Sequence, residues 1–243
     1  MRRPSRVLVF QHTAAEHPGS LRDYMRADHV EWTVVELDEG DAIPELDGFD
    51  VLLVMGGPMD VWQEAEHPWL LAEKAAIRRW VTELQRPYLG LCLGHQLLAD
   101  ALGGCVGPAQ EPEIGILPVD LTDEGARHAL FEGMPRQLNV LQWHGAEVLQ
   151  LPRGAVTLAR SSACAINAMA YGSSAFGLQY HVELTATTVS EWAQIPEYAM
   201  ALEQACGAGA VAQLDSAAQQ HMADFRIASA QLYSNFMRIV ASA

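Results

Sequence analysis

Tyr88-Leu89-Gly90-Leu91-Cys92-Leu93-Gly94-His95-Gln96 is the stretch on which the reading of this chain turns. Pro87 leads into Tyr88 to Leu91, a short apolar run with the pattern of a buried strand. From Leu93 on, Gln96, Leu97, Leu98, Ala99, Ala101 and Leu102 have helical spacing, and Gly103-Gly104 stops the helix. Cys92 therefore stands at a sharp strand-to-helix turn, with Gly90 and Gly94 two residues away on either side. Small neighbours let the chain bend tightly and push the side chain outward, which is the thiol version of a nucleophile elbow. A thiol at a helix N-terminus feels the positive end of the dipole, which favours the thiolate. The Leu93 N–H is placed to hold an oxyanion. A buried structural cysteine between two packing glycines has the same signature, so the rest of the chain has to decide.

The chain has 243 residues, of which 50% are hydrophobic, enough for one large α/β domain or a domain with an appendage. The 15 Lys and Arg stand against 30 Asp and Glu, a net charge of −15 that argues against a nucleic acid or an anionic membrane as partner. Cys92, Cys105, Cys164 and Cys206 are too far apart in sequence for a metal knuckle or a redox pair, and the last three read as small apolar filler. Met1-Arg2-Arg3 runs straight into strand-like Val7 to Phe10 without a cleavage pattern, and no run approaches a membrane span. The expected location is cytoplasmic.

Alternating patterns define the rest. Strands are expected over 6–10, 31–37, 51–54 and 88–91, with helices over 20–28, capped by Ser20, and 68–84. The Val51 to Val54 run has the continuous apolar character of a parallel sheet covered on both faces. After Gly104 the pattern predicts strands over 114–121, 138–143, 156–160, 165–171 and 175–180, with one short helix over 125–131. Strand following strand points to antiparallel additions. Helices are expected from 185 or 187 to 193, over 196–206 and over 217–240. The fold class is thus α/β, a flavodoxin-like open and mostly parallel sheet with antiparallel additions and a C-terminal helical extension. Residues 1–184 form the domain and 185–243 the extension, packed on the same domain or at a dimer surface.

Three further stretches bear on chemistry. Gly56-Gly57-Pro58 follows a buried strand and can aim backbone N–H groups at a ligand beyond the carboxyl edge of the sheet. Gln179-Tyr180-His181-Val182-Glu183 ends the last strand, and residues two apart on an extended chain share a side, so Glu183 can orient the His181 ring. A Cys–His–Glu relay needs that arrangement. Gln142-Trp143-His144-Gly145 also ends a strand and reads as a pocket wall. His12, Glu16 and His17 lie in the loop after the first strand, where a metal site is conceivable but solvated loop residues are the preferred reading. His95 can help to position the elbow, with its ring pointing away from the thiol, and Met55 and Met59 read as packing around the glycine turn.

Gly-Leu-Cys-Leu-Gly-His-Gln at 90–96, Gly-Gly-Pro at 56–58 and Gln-Tyr-His-Val-Glu at 179–183, in this order, resemble the class I (triad) glutamine amidotransferases. The resemblance covers Arg6 to Leu184. Glu113-Ile114-Gly115-Ile116 and Trp143-His144-Gly145 make it similar to the glutaminase part of GMP synthase. It implies that Cys92 is the nucleophile, attacking the side-chain amide of glutamine to give a γ-glutamyl thioester and ammonia. His181 would then be base and acid, and Glu183 would orient it. The N–H groups of Gly57 and Leu93 would form the oxyanion hole. Gln96 would contact the substrate glutamine, with His144 and Gly145 near its amino-acid end. Two departures are plain: Val182 stands where the family usually has Pro, and Ala146 where an acidic residue usually follows His-Gly, with Glu147 one later.

Nothing in the chain resembles an ATP-using acceptor domain, and the stretch after Leu184 is too short and too helical to be one. Either a partner synthetase takes the ammonia, with this chain a subunit that is silent alone, or the protein hydrolyses glutamine or a larger γ-glutamyl compound by itself. A homodimer is a further possibility. No cofactor and no metal are implied.

Overall fold

The structure, a computed structural model, describes residues 6–242; Met1-Arg2-Arg3 lies outside them. A nine-stranded sheet runs through the molecule in the order β2-β1-β3-β4-β9-β8-β7-β5-β6. The strands are β1 (Arg6–Gln11), β2 (Glu31–Glu36), β3 (Val51–Val54), β4 (Tyr88–Leu91), β5 (Cys105–Leu121), β6 (Gln137–Gln150), β7 (Ala155–Arg160), β8 (Ala168–Tyr171) and β9 (Ala175–Leu178). The helices are α1 (Leu21–Ala27), α2 (Trp69–Arg79), α3 (Leu93–Ala101), α4 (Asp123–Arg127), α5 (Thr188–Trp192), α6 (Pro196–Cys206) and α7 (Ala210–Val240). The pairs joining β2, β1, β3, β4 and β9 are parallel, and those joining β9, β8, β7, β5 and β6 are antiparallel. This is the expected mixed α/β architecture. No helix of the described residues is long and apolar enough to cross a membrane.

The period-two pattern of the strands builds two cores from one sheet. Val7, Val9, Leu53, Leu89 and Leu91 face one side, where they meet Leu21 and Met25 of α1 and Leu232 and Phe236 of α7. Leu8, Phe10, Leu52, Val54 and Tyr88 face the other, against Leu70 and Ile77 of α2 and Leu97 and Leu98 of α3. A third cluster joins Leu141 and Trp143 of β6 to Trp192, Tyr198, Leu202, Leu214 and Phe225 of the C-terminal helices. Those helices share cores with the strands rather than standing apart from them.

Several elements differ from the sequence expectation. β5 starts at Cys105 instead of 114 and pairs with β6 as a long ribbon, with a register shift between Pro108 and Glu113. Gly107, Pro108 and Pro112 read locally as loop, yet an irregular stretch of the ribbon accommodates them. α7 begins at Ala210 rather than 217, while α2 stops as a regular helix at Arg79 and finishes in a wide turn over 80–84 before Gln85 at φ 52°. The expected helix over 125–131 is a short α4 capped by Thr122, whose hydroxyl accepts from the Gly125 N–H, followed by one tight turn. Ser20 makes no cap hydrogen bond; its hydroxyl donates to Ser229 of α7, tying the helix start to the C-terminal helix. Cys105 and Cys206 are exposed, so only Cys164 of the three filler candidates is buried.

The elbow depends on two glycines. A methyl group at Gly90 would overlap the Gly94 carbonyl, and one at Gly94 would overlap the Val54 carbonyl. Backbone cannot retreat as a flexible side chain can. Gly94→Ala should therefore lower unfolding free energy by about 1–3 kcal/mol or more, read from urea denaturation; an unchanged midpoint would show that the β3–α3 contact is not tight.

Candidate active site

β4 delivers Cys92 to the carboxyl edge of the parallel strands, where it precedes α3 at φ 52°, ψ −104°. For a residue with a Cβ this is a strained conformation. Three contacts hold it. The Cys92 N–H donates to Leu178 O at 2.8 Å, the Gly94 N–H to Met55 O at 3.1 Å, and the Tyr88 hydroxyl to Gly94 O at 2.7 Å. The thiol is 5% exposed. Gln179 donates its amide to Sγ at 3.6 Å and accepts from the Gln96 amide at 3.1 Å. The Gln96 nitrogen also donates to Ala146 O at 3.1 Å, which leaves the carbonyl oxygen of that side chain for any other contact.

His181 lies just beyond β9. It is fixed by a pair of backbone bonds with Leu141 of β6, at 2.9 and 3.1 Å. Its Nδ1 is 2.6 Å from Glu183 Oε1, and Glu183 Oε2 accepts the Val182 N–H at 3.0 Å. With Nδ1 committed to a carboxylate, Nε2 is the nitrogen that faces Cys92; among the described residues it makes no hydrogen bond of regular geometry. Such contacts are often loose before substrate binds. Burial works to lower the His181 pKa, but the charge of Glu183 and the neighbouring Cys92 outweigh it and hold the ring well above the usual histidine value. Trp192 packs its edge on the imidazole at 4.6 Å between centroids.

Gly57 lies against the side chain of Leu93, the residue after Cys92. A methyl group at Gly57 would lie 2.9 Å from Leu93 Cδ2, and neither residue's N–H has an acceptor among the described residues. The Gly56-Gly57 turn rests on His12, whose Nδ1–H donates to Gly56 O at 2.8 Å while Nε2 lies 2.9 Å from Glu73 Oε1. Glu16 sits beneath the same turn; its Oε1 accepts the Tyr198 hydroxyl of α6, and its Oε2 has no partner. His12 and Glu16 are 1% exposed, which overturns the expectation of solvated loop residues. The loop after β1 folds inward because Trp192 donates to Ala15 O at 3.0 Å and the Ser20 N–H to Glu183 O at 2.7 Å.

His144 and Gly145 border a cavity that Pro58, Trp143 and Tyr198 also line. The His144 Nδ1–H donates to Ala146 O at 3.0 Å, and Nε2 lies 3.3 Å from Glu113 Oε2. Burial works to raise the Glu113 pKa, but His144, Ser161 and Asn167 stabilise its charge and bring it below the usual value. Glu147, which follows Ala146, is buried and bonded toward Cys164, on the opposite side of the strand from His144. It does not stand in for the acidic residue missing at 146. His95 turns its Nε2 to Ile166 O at 3.1 Å, and burial lowers its pKa to about 4. Met55 and Met59 are both buried as packing. The sequence contained no local sign of Tyr198 or Trp192 as neighbours of the site, and marked Glu16 only as a loop residue. Their partners lie some 180 positions away, and only the acidic and aromatic identities in a buried setting mark them.

An open α/β sheet with a cysteine elbow beside a buried His–Glu pair narrows the class, and the comparisons with known proteins agree. Residues 18–192 match the family model described as glutamine amidotransferase class-I. A subunit of the glutamine-hydrolyzing GMP synthase of Saccharolobus solfataricus is 38% identical over 146 residues, 60% of this chain and 73% of that protein. A glutamine amidotransferase-like protein of Salmonella typhimurium is 35% identical over 190 residues, 76% of this chain and 78% of that one. The crystal structure of a glutamine amidotransferase from Thermotoga maritima superposes with a TM-score of 0.84 at 28% identity, covering 97% of both chains. That of a Methylobacillus flagellatus glutamine amidotransferase gives 0.83 at 27%, covering 97% of this chain and 95% of the other. This chain belongs to the class I glutamine amidotransferase family.

Two predictions concern the supports of the site. Tyr198→Phe leaves both Glu16 carboxylate oxygens without a partner, and should lower unfolding free energy by about 1–3 kcal/mol in urea titrations; no change would mean that water replaces the hydroxyl. Burial tends to lower the His12 pKa, yet Glu73 outweighs it and the value is raised above the ordinary 6.5. The stability this contributes is fully present below pH 6.5 and is lost as pH rises through the elevated folded value. Denaturation midpoints measured upward from pH 6 should fall, and Glu73→Gln should flatten that fall.

Proposed function

We propose that this protein hydrolyses the side-chain amide of glutamine through a covalent thioester on Cys92. One observation carries the reading: a strained, buried cysteine elbow lies against a histidine whose far nitrogen is 2.6 Å from a buried carboxylate. The Cys92 thiolate attacks the amide carbon, and the oxygen, now anionic, turns to the free N–H groups of Gly57 and Leu93. The His181 Nε2 proton goes to the departing nitrogen, so that ammonia leaves and the γ-glutamyl thioester remains. His181 then takes a proton from water, the resulting hydroxide adds to the thioester carbon, and the C–S bond breaks to give glutamate and free thiolate. Glu183 keeps the ring oriented and stabilises its cationic form. Gln96 offers its one free carbonyl oxygen to the substrate, and His144 and Gly145 border its amino-acid end.

Relatives named as parts of a glutamine-hydrolysing synthase favour a second reading, in which the ammonia passes to a separate synthetase chain. The two are separated by assaying ammonia release from L-glutamine with purified protein alone. Release that disappears in Cys92→Ser supports hydrolysis without a partner. Absence of release, with Cys92 still alkylated by a glutamine-like electrophile, supports the partner-dependent reading, and release that survives Cys92→Ser refutes the thioester. Glu183→Gln should lower kcat by about 10²–10⁴-fold with a smaller change in KM.

A further inference from the structure

The loop after β1 wraps the His181–Glu183 pair. The Ser20 N–H donates to Glu183 O, and a methyl group at Gly19 would overlap that same carbonyl. Ala15 O accepts from Trp192, the ring that packs on His181. Glu16 is the carboxylate that this loop carries inward. It lies against the Gly56-Gly57 turn: a methyl group at Gly56 would be 2.5 Å from its Oε2 and 2.9 Å from its Oε1.

Its surroundings do not satisfy it by hydrogen bonds. Oε1 accepts the Tyr198 hydroxyl, and Oε2 has no partner among the described residues. A carboxylate held by one neutral hydroxyl is costly to bury, and only a facing charge can compensate it. Burial pushes the Glu16 pKa above the usual carboxylate value, and Glu183 adds to the rise. Against them the charge of His181 is the largest influence, ahead of the Tyr198 hydroxyl and His12. Glu73 plays no such part, because it is turned to His12. His17, on the same loop, faces Arg22, Glu191 and Glu183.

Coulomb attraction is mutual, so a carboxylate that is favoured by a cation favours that cation equally. The charged groups facing His181 are then Glu183 at Nδ1, Cys92 at Nε2 and Glu16 from the loop; Trp192 and Leu141, its other neighbours, carry no charge. We infer that Glu16 is a positioning residue of the site, a second carboxylate that supports the cationic form of His181 through space while its body props the Gly56-Gly57 turn. This rests on the Cys92 reading above and deepens it. His181 holds its proton before the thiolate attacks and again after it takes one from water, and a charge that needs no hydrogen bond to the ring serves both moments. Tyr198, which aims Glu16, lies beyond residue 192, where the family model ends. The C-terminal extension thus reaches the catalytic histidine through one hydroxyl and one carboxylate.

Glu16→Gln tests this, since it keeps the shape and the contact with Tyr198 and removes the charge. In the full chain with isotope-labelled histidine rings, the His181 titration followed by NMR should move to lower pH by about half a pH unit or more. The alkaline limb of kcat/KM for ammonia release from L-glutamine should move with it, with kcat falling more than KM changes. Tyr198→Phe loosens the same contact but keeps the charge, and should leave the titration in place. In the unaltered chain, which needs no variant to fold, the Glu16 carboxyl carbon signal should shift as His181 titrates. A His181 titration unmoved by Glu16→Gln, one moved as far by Tyr198→Phe, or a Glu16 signal that ignores His181 overturns the inference and reduces Glu16 to packing. None of these results touches the thioester, which fails separately if ammonia release survives Cys92→Ser.

Discussion

The backbone at Cys92 is the constraint on which the rest of the site depends. A non-glycine residue at φ 52°, ψ −104° costs about 1–3 kcal/mol, and it persists only where its surroundings leave it no alternative. Here β9 takes the Cys92 N–H, the end of β3 takes the Gly94 N–H, and Tyr88 caps the Gly94 carbonyl. Strands β3, β4 and β9 are neighbours in the sheet, so the strain is held by the central strands of the fold. The same bend sets Leu93 directly after Cys92, with its side chain against Gly57.

Around the elbow lies an unusual amount of buried polar chemistry. His12 with Glu73, Glu16 with Tyr198, His144 with Glu113, and His181 with Glu183 are four contacts between groups almost fully out of water. Each would be costly alone, and the facing partner offsets part of that cost. They also share a geometric duty. One supports the glycine turn, one fixes α6, one pins the β5–β6 ribbon and one orients the imidazole. Burial lowers a histidine pKa and a facing carboxylate raises it, and at His12 and His181 the carboxylate prevails. At His95, which has backbone partners and no facing carboxylate, burial prevails.

Much of this was legible in the chain. Period-two alternation in the first strands assigned Val7 and Val9 to one face and Leu8 and Phe10 to the other, because a pleated strand allows nothing else. The glycines at 90 and 94 marked the elbow because only glycine fits the contacts there. Spacing of two put Glu183 beside His181. The long ribbon from Cys105, the inward loop at His12 and Glu16, and the partner of Ser20 were not legible. In each case the local residues are compatible with loop, and the contact that decides comes from far along the chain.

The sequence by itself thus determined the alternation of strands and helices, the bend at Cys92 and the local pairing of His181 with Glu183. These depend on residue periodicity, on the absence of a side chain at glycine and on separations of a few residues. Tertiary structure decided what surrounds them. It brought Leu141 to His181, Gln179 to Cys92, Tyr198 to Glu16 and α6 to the mouth of the cavity. Those contacts join segments separated by tens to nearly two hundred residues, and only a closed core makes one arrangement of them lower in free energy than the rest.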